Sequence, residues 1–306
     1  MQTVLIYMEV RMKYATVQGQ EQISATHLTS YYEANYKLGW CYMDAFPRPC
    51  FSQVLLDEID QWYAYVKRRN EEGAEQEFKY LVLASNIPGI FNLGGDLNLF
   101  KQLIEEGDYN TLFDYAKSCI DVLFQNISHL NEKLTTISLV QGDALGGGFE
   151  AALSCNVLIA EKGTKMGLPE VLFNLFPGMG AFSLLSQKIG VVKTKKMIFS
   201  GQRYSAEELY DMGVVDILAE KGEGKQAVYS YIKRAERAAN SYSAMREVQD
   251  MTTQITYQEL MEITRIWVEA ALRLRKRDLR MMEHLVSRQT AKQKNKKTMG
   301  PDSIDF

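Results

Sequence analysis

Two glutamates and two glycine-rich turns are the residues of this sequence best placed to do chemistry. Glu150 stands in Gly146-Gly-Gly-Phe-Glu-Ala151, and Glu170 in Gly167-Leu-Pro-Glu170. Phe149 and Ala151 flank the first, and Leu168, Pro169, Val171 and Leu172 surround the second. A carboxyl among such neighbours has its pKa raised by desolvation and can exchange protons near neutrality. A single glutamate at a helix start more often answers to the helix dipole. The pair becomes informative only together with the glycines. Gly142-Asp-Ala-Leu-Gly-Gly-Gly148 leaves a strand and opens a helix, so successive backbone N–H groups point outward where no side chain blocks a ligand's carbonyl. Asn92-Leu-Gly-Gly95 forms a second such turn before a helix at Asp96 and Leu97. Two amides from two loops can grip one developing oxyanion.

Other chemistries fit less well. Gly146 to Ala151 also satisfies the G-x-G-x-x-A dinucleotide fingerprint, with Glu161 ending the next strand where a ribose contact is expected. Against that reading, the motif comes late in the chain, and the loop from Gly142 is long for a tight first turn. The lysine and hydroxyl of a phosphate-binding loop do not follow the glycines. No GxSxG elbow occurs, and His27, His129 and His284 form neither HExxH nor HxH, so a serine hydrolase and a histidine-rich metal centre are disfavoured. Cys41, Cys50, Cys119 and Cys155 show no CxxC spacing, which suits a reducing, cytoplasmic setting. No metal and no cofactor is expected.

These residues need a scaffold. With 306 residues, 46% hydrophobic and 24% charged, the chain can bury a full core. No apolar stretch approaches the roughly 20 residues of a membrane span, and no export signal is visible. Residues 28–45 read as two strands turning near Asn35, and 51–70 as a helix with Val54, Leu55, Ile59, Trp62 and Val66 on one face. Short apolar runs at 80–84, 135–140 and 157–161 read as buried strands. Between them, 108–131 and 149–154 read as helices. This alternation predicts an α/β fold with mostly parallel strands. A core over 24–221 is expected, then a helical region over 222–290 with one or two long helices in 255–289, and a basic, flexible tail over 291–306. Residues 271–297 hold ten Lys and Arg against Asp278 and Glu283. Such a run is usually a solvated helix face. No aromatic or recognition motif makes it a nucleic-acid site.

Three segments, in order, resemble the crotonase (enoyl-CoA hydratase/isomerase) superfamily: Phe91-Asn-Leu-Gly-Gly-Asp-Leu97, Val140-Gln-Gly-Asp-Ala-Leu-Gly-Gly-Gly-Phe-Glu-Ala-Ala-Leu153 and Met166-Gly-Leu-Pro-Glu-Val-Leu-Phe-Asn-Leu-Phe-Pro-Gly-Met-Gly-Ala181. Within it, the chain is most similar to bacterial synthases of cis-2-unsaturated fatty-acid signals, the diffusible signal factor (DSF) synthases. Met251-Thr-Thr253 and Glu262-Ile-Thr-Arg-Ile-Trp-Val268 also look like that group.

The resemblance implies a spiral of ββα units assembled as a trimer or hexamer, with Glu150 and Glu170 as catalytic carboxylates. It implies that Gly147 gives one oxyanion amide and the turn at Asn92 and Leu93 the other, although larger residues stand here than in many hydratases. Gly94, Gly95, Leu145, Gly146, Gly148, Gly167, Leu168, Met179 and Trp267 would surround the substrate, with Phe173 and Phe176 as further tunnel residues. Trp267 also belongs to an apolar stripe with Leu260, Ile263, Ala271 and Leu274, whose plain meaning is core packing. The implied activity is dehydration of a 3-hydroxyacyl thioester on acyl carrier protein (ACP), followed by thioester hydrolysis in the same site. Which glutamate is base and which is acid stays open at this level. An ordinary enoyl-CoA hydratase is the nearest alternative, and a sensor protein is a further implied partner. A cationic segment would steer an acidic carrier.

Overall fold

The computed structural model describes residues 13–17, 20–73, 75–252, 254–284 and 287. An antiparallel meander opens the chain, with β1 (Lys13–Val17), β2 (Gln20–Ser24), β3 (Leu28–Glu33) and β4 (Leu38–Met43), followed by α1 (Gln53–Glu72). Next come β5 (Tyr80–Ser85), β6 (Ile90–Asn92), α2 (Leu97–Glu106) and α3 (Tyr109–Ile127). Two similar turns of chain follow: β7 (Thr135–Val140), β8 (Asp143–Leu145) and α4 (Gly147–Ser154), then β9 (Val157–Glu161), β10 (Lys165–Gly167) and α5 (Ala181–Ser200). Beyond them lie β11 (Arg203–Ser205), α6 (Ala206–Asp211), β12 (Ile217–Ala219), α7 (Gly224–Arg237), α8 (Ala239–Thr252) and α9 (Tyr257–Ala271).

The strands form two sheets. The larger has the order β1-β2-β3-β4-β5-β7-β9-β12 and is parallel from β4 onward; the smaller has the order β11-β10-β8-β6. Each of the three middle turns of chain therefore gives one strand to each sheet and then a helix. This is the expected spiral of ββα units and not a doubly wound sheet.

Side-chain alternation explains why the parallel strands read as unbroken apolar runs. Along β4, Cys41 and Met43 face the core that holds Leu55 and Ile59 of α1, whereas Leu38, Trp40 and Tyr42 face a second core with Val228, Ile232 and Ala235 of α7. Both faces are covered, so neither needs polar residues. The hairpin turn near Asn35 is a short 3-10 helix over Ala34–Tyr36, closed by Lys37 in the left-handed region at φ 48°. Helix α1 starts where Ser52 Oγ accepts from the Leu55 N–H at 3.3 Å, two residues later than the periodicity suggests. The expected helix 108–131 ends early, because His129, Leu130 and Asn131 all take positive φ. In the region 255–289, α9 is followed by helical residues at 276–284. The tail expected over 291–306 lies outside the described residues.

A buried carboxylate ties the meander to α1. Glu58 is fully enclosed, and its two oxygens accept from the N–H groups of Thr26 at 2.9 Å and His27 at 2.7 Å. Glu58→Ala removes both acceptors from the Thr26 and His27 N–H groups and empties an enclosed site, and is expected to cost about 1–3 kcal/mol of stability. Chemical denaturation checks this, and an unchanged midpoint would contradict it.

Candidate active site

The β6–α2 and β8–α4 turns meet backbone to backbone, and glycines make the approach possible. A Cβ on Gly148 would lie 2.1 Å from the Asn92 carbonyl oxygen. Gly94 adopts φ +92°, and a Cβ there would stand 2.9 Å from the Gly147 nitrogen. The β8–α4 turn is also anchored to the third ββα unit, since the Gly146 N–H donates to the Gly167 carbonyl at 2.9 Å.

Hydrogen bonding decides which amides are available. The Leu93 N–H donates to the Pro49 carbonyl at 2.8 Å, and the Gly94 N–H donates to Asn92 Oδ1 at 2.8 Å. Gly95 and Gly147 make no backbone N–H hydrogen bond among the described residues, and both line one cavity. This corrects the expectation that Leu93 supplies an oxyanion amide: its donor is already used. Asn92 is buried outside the cavity lining, where its side chain shapes the turn. An Asn accepting from the backbone two residues on is an Asx turn, a signal legible in Asn92-Leu-Gly94. Behind Gly95, the Asp96 N–H donates to the Tyr115 hydroxyl at 3.1 Å, and that hydroxyl donates to the Phe51 carbonyl.

Both glutamates reach the same cavity. Glu150 is 1% exposed, and its Oε1 accepts from the N–H groups of Met179 at 2.8 Å and Ala181 at 3.0 Å. Burial pushes its pKa up to about 7, against the pull of those two donors. Glu170 sits on a 3-10 turn over Pro169–Phe173, its Oε1 close against Gly146, where a Cβ would fall at 2.5 Å. Its Oε2 is buried without a hydrogen-bond partner. Burial, with the Glu150 charge adding to it, holds the Glu170 carboxyl well above the usual carboxylate range. Near neutrality both acids therefore resist ionisation. Glu170 resists it more, because Glu150 has donors for its negative charge and Glu170 Oε2 has none.

The cavity has a volume of about 300 Å³ and a mostly apolar lining. Besides the two glutamates, it takes in Leu93, Gly94, Gly95, Leu145, Gly146, Gly147, Phe173, Met179 and Trp267 from the expected set. Gly148, Gly167, Leu168 and Phe176 are not part of the lining. Gly148 fits against Asn92, Gly167 against Gln202, Leu168 is 1% exposed in the core, and Phe176 packs on that core. Sequence reading missed Phe100, Tyr115 and Cys119, which wall the cavity from α2 and α3. The Phe100 and Trp267 rings, both in the lining, meet edge to face at 5.0 Å.

Glu161, the group of the competing nucleotide reading, has a structural use. Its oxygens accept from Gln141 Nε2 at 2.7 Å and from the N–H groups of Gly222 at 2.9 Å and Gly224 at 3.0 Å. The group that a ribose would need is thus spent at the start of α7. The described residues hold no cluster of three or more metal-ligating side chains, no disulfide, and no helix long and apolar enough to cross a membrane.

Comparison with known proteins agrees with this layout. A crystal structure of an enoyl-CoA hydratase from Bacillus halodurans superposes with a TM-score of 0.71 at 17% identity, covering 85% of this chain and 100% of that one. Pseudomonas aeruginosa DspI superposes with a TM-score of 0.59 at 22% identity, covering 76% and 89%. The human enoyl-CoA hydratase domain-containing protein 2 is 30% identical over 187 residues, which is 60% of this chain and 58% of that protein. The chain spans less than two thirds of the length of that relative. A family model described as enoyl-CoA hydratase/isomerase matches residues 48–297, the span that carries both turns, both glutamates and α9, and the chain belongs to that family.

Proposed function

We propose that this protein dehydrates a 3-hydroxyacyl thioester carried on ACP to a cis-2-enoyl thioester and then hydrolyses the thioester in the same site, releasing a DSF-type fatty-acid signal. The observation that carries this reading is one apolar cavity lined by two carboxylates of raised pKa and two amides without internal partners. The thioester oxygen sits between the Gly95 and Gly147 N–H groups, which stabilise the enolate as the C2 proton leaves. Glu170, beside Gly146, exchanges the C2 proton, and Glu150 exchanges the proton of the C3 oxygen. Dehydration starts from the tautomer with the proton on Glu150, and hydration from the one with it on Glu170. In the hydrolytic step, anionic Glu150 takes a proton from water as the hydroxide adds to the thioester carbonyl, the same two amides hold the tetrahedral intermediate, and as the C–S bond breaks that proton passes to the departing ACP thiol. The assembly suited to this role is a homotrimer or hexamer in the cytoplasm, with a sensor protein as a further partner and no nucleic acid.

The two raised pKa values fix the pH dependence. Below about pH 7 Glu150 also becomes protonated and no base remains, so kcat/KM is expected to rise as pH passes about 7. At higher pH Glu170 loses its proton and the rate falls. A pH–rate profile flat from 5 to 9, about two units either side, would contradict these raised values.

Product analysis tests the function itself. The protein is incubated with 3-hydroxyacyl-ACP and with 3-hydroxyacyl-CoA, and free cis-2-enoic acid is measured. Free acid from the ACP substrate is expected. Reversible hydration of trans-2-enoyl-CoA with no free acid would favour an ordinary hydratase, the activity in the names of relatives.

A further inference from the structure

The outer face of the second half of α5 carries charge and apolar surface that the site does not use. Gly190 breaks the helix at φ 77°, and Val192, Lys195, Lys196 and Phe199 then fall on one face at the i, i+3, i+4, i+7 spacing. Opposite them, Thr194, Met197 and Ile198 are buried. Val192 is 69% exposed and Phe199 70%. None of Lys193, Lys195, Lys196 and Arg203 has an acidic partner among the described residues, whereas Lys188 on the same helix is paired with Asp216 at 2.9 Å. The protein's net charge is −3, so this concentration of free cations is local.

The strip leads to the cavity mouth. Helix α5 ends at Gly201, whose turn packs on Val171 and Leu172, next to Glu170, and Gly201, Leu172 and Arg203 all line the cavity rim. A partner seated on this face can send a flexible arm over Arg203 towards the glutamates.

We propose that the strip from Val192 to Arg203 is the landing surface for the carrier protein that delivers the acyl chain. The partner it fits is an acidic helix with an apolar contact for Val192 and Phe199. Charge supplies encounter and orientation, and the small apolar contact allows fast release. This inference rests on the ACP reading above.

The double variant Lys195→Glu/Lys196→Glu tests it, because both side chains are exposed and away from the chemistry. Turnover is measured with 3-hydroxyacyl thioesters of ACP, of CoA and of N-acetylcysteamine, alongside binding of fluorescently labelled holo-ACP and the oligomeric state by sedimentation. The expected result is an increase in KM and Kd of about tenfold for ACP alone, with kcat unchanged and the salt dependence of KM weakened. Equal ACP binding by wild type and variant overturns the docking surface, as does an equal loss with N-acetylcysteamine. A changed sedimentation coefficient overturns it in favour of an interface between copies of this chain. Wild-type protein that binds holo-ACP without turning over its 3-hydroxyacyl thioester sinks the functional reading alone, and the variant's Kd still decides the docking surface. If wild type neither binds nor turns over the carrier, both fail.

Discussion

Glu170→Gln is expected to lower kcat by about 10²- to 10⁴-fold while making the folded protein more stable at neutral pH. The rate falls because an amide neither accepts nor delivers the C2 proton. The stability gain follows from linkage. The folded-state pKa of Glu170 is raised, so its contribution to stability is full below the unfolded carboxylate pKa and is lost as pH rises towards the folded value. Gln escapes that loss. A gain of about 0.5–2 kcal/mol near pH 7, fading by about pH 4, is the expected size, reduced by the amide hydrogens placed near an enclosed acid. Thermal melts at the two pH values, with single-turnover rates, check both halves. Activity within tenfold of wild type would remove Glu170 from the chemistry. The same substitution at Glu150 has a further signature: without the neighbouring charge, Glu170 titrates lower.

Gly148→Ala is the second large effect, and it acts through spacing. The new methyl would stand 2.1 Å from the Asn92 oxygen and 2.6 Å from its carbonyl carbon, and neither is a flexible side-chain end. The two turns must separate, and the Gly95 and Gly147 amides ride on them. Overpacking of this kind costs about 1–3 kcal/mol of stability. Losing one oxyanion donor from its place costs about 10²- to 10³-fold in kcat. Both losses are expected together, read by a thermal shift and by steady-state kinetics on one preparation. A destabilised variant with wild-type kcat would show that the spacing of the turns serves folding and not catalysis.

Proton exchange between the two acids connects the two proposed reactions. A hydratase needs an acid and a base on opposite ends of the C2–C3 bond, and a thioesterase needs a base for water beside an oxyanion site. Glu150, held by the Met179 and Ala181 amides at the start of α5, is oriented for both. Glu170 lacks such donors on Oε2, so its carboxyl resists ionisation more, and dehydration needs its proton passed to Glu150 first.

The sequence alone determined the local parts. Apolar runs of strand length, glycine turns ahead of helices, and Glu150 and Glu170 among apolar neighbours all depend on residues within a few positions of one another, which is why the alternation of strands with helices and both candidate acids are legible directly, whereas the ββα spiral follows only from the family resemblance. Gly148, Gly167 and Leu168 are expected as substrate contacts only from the resemblance, and their types do not test it, because small or apolar residues serve close packing and ligand binding equally well. Only the tertiary structure decided between those uses. It consumed the Leu93 amide with a carbonyl from a distant loop at Pro49, leaving Gly95 free. It brought Phe100, Tyr115 and Cys119 from α2 and α3 to the cavity wall, although in sequence they are ordinary core-stripe residues. It also brought the charge of Glu150 to bear on the Glu170 carboxyl, although the two are far apart in sequence. Hydrogen-bond commitment, enclosure and charge proximity are properties of distance in space, and spacing along the chain does not encode them.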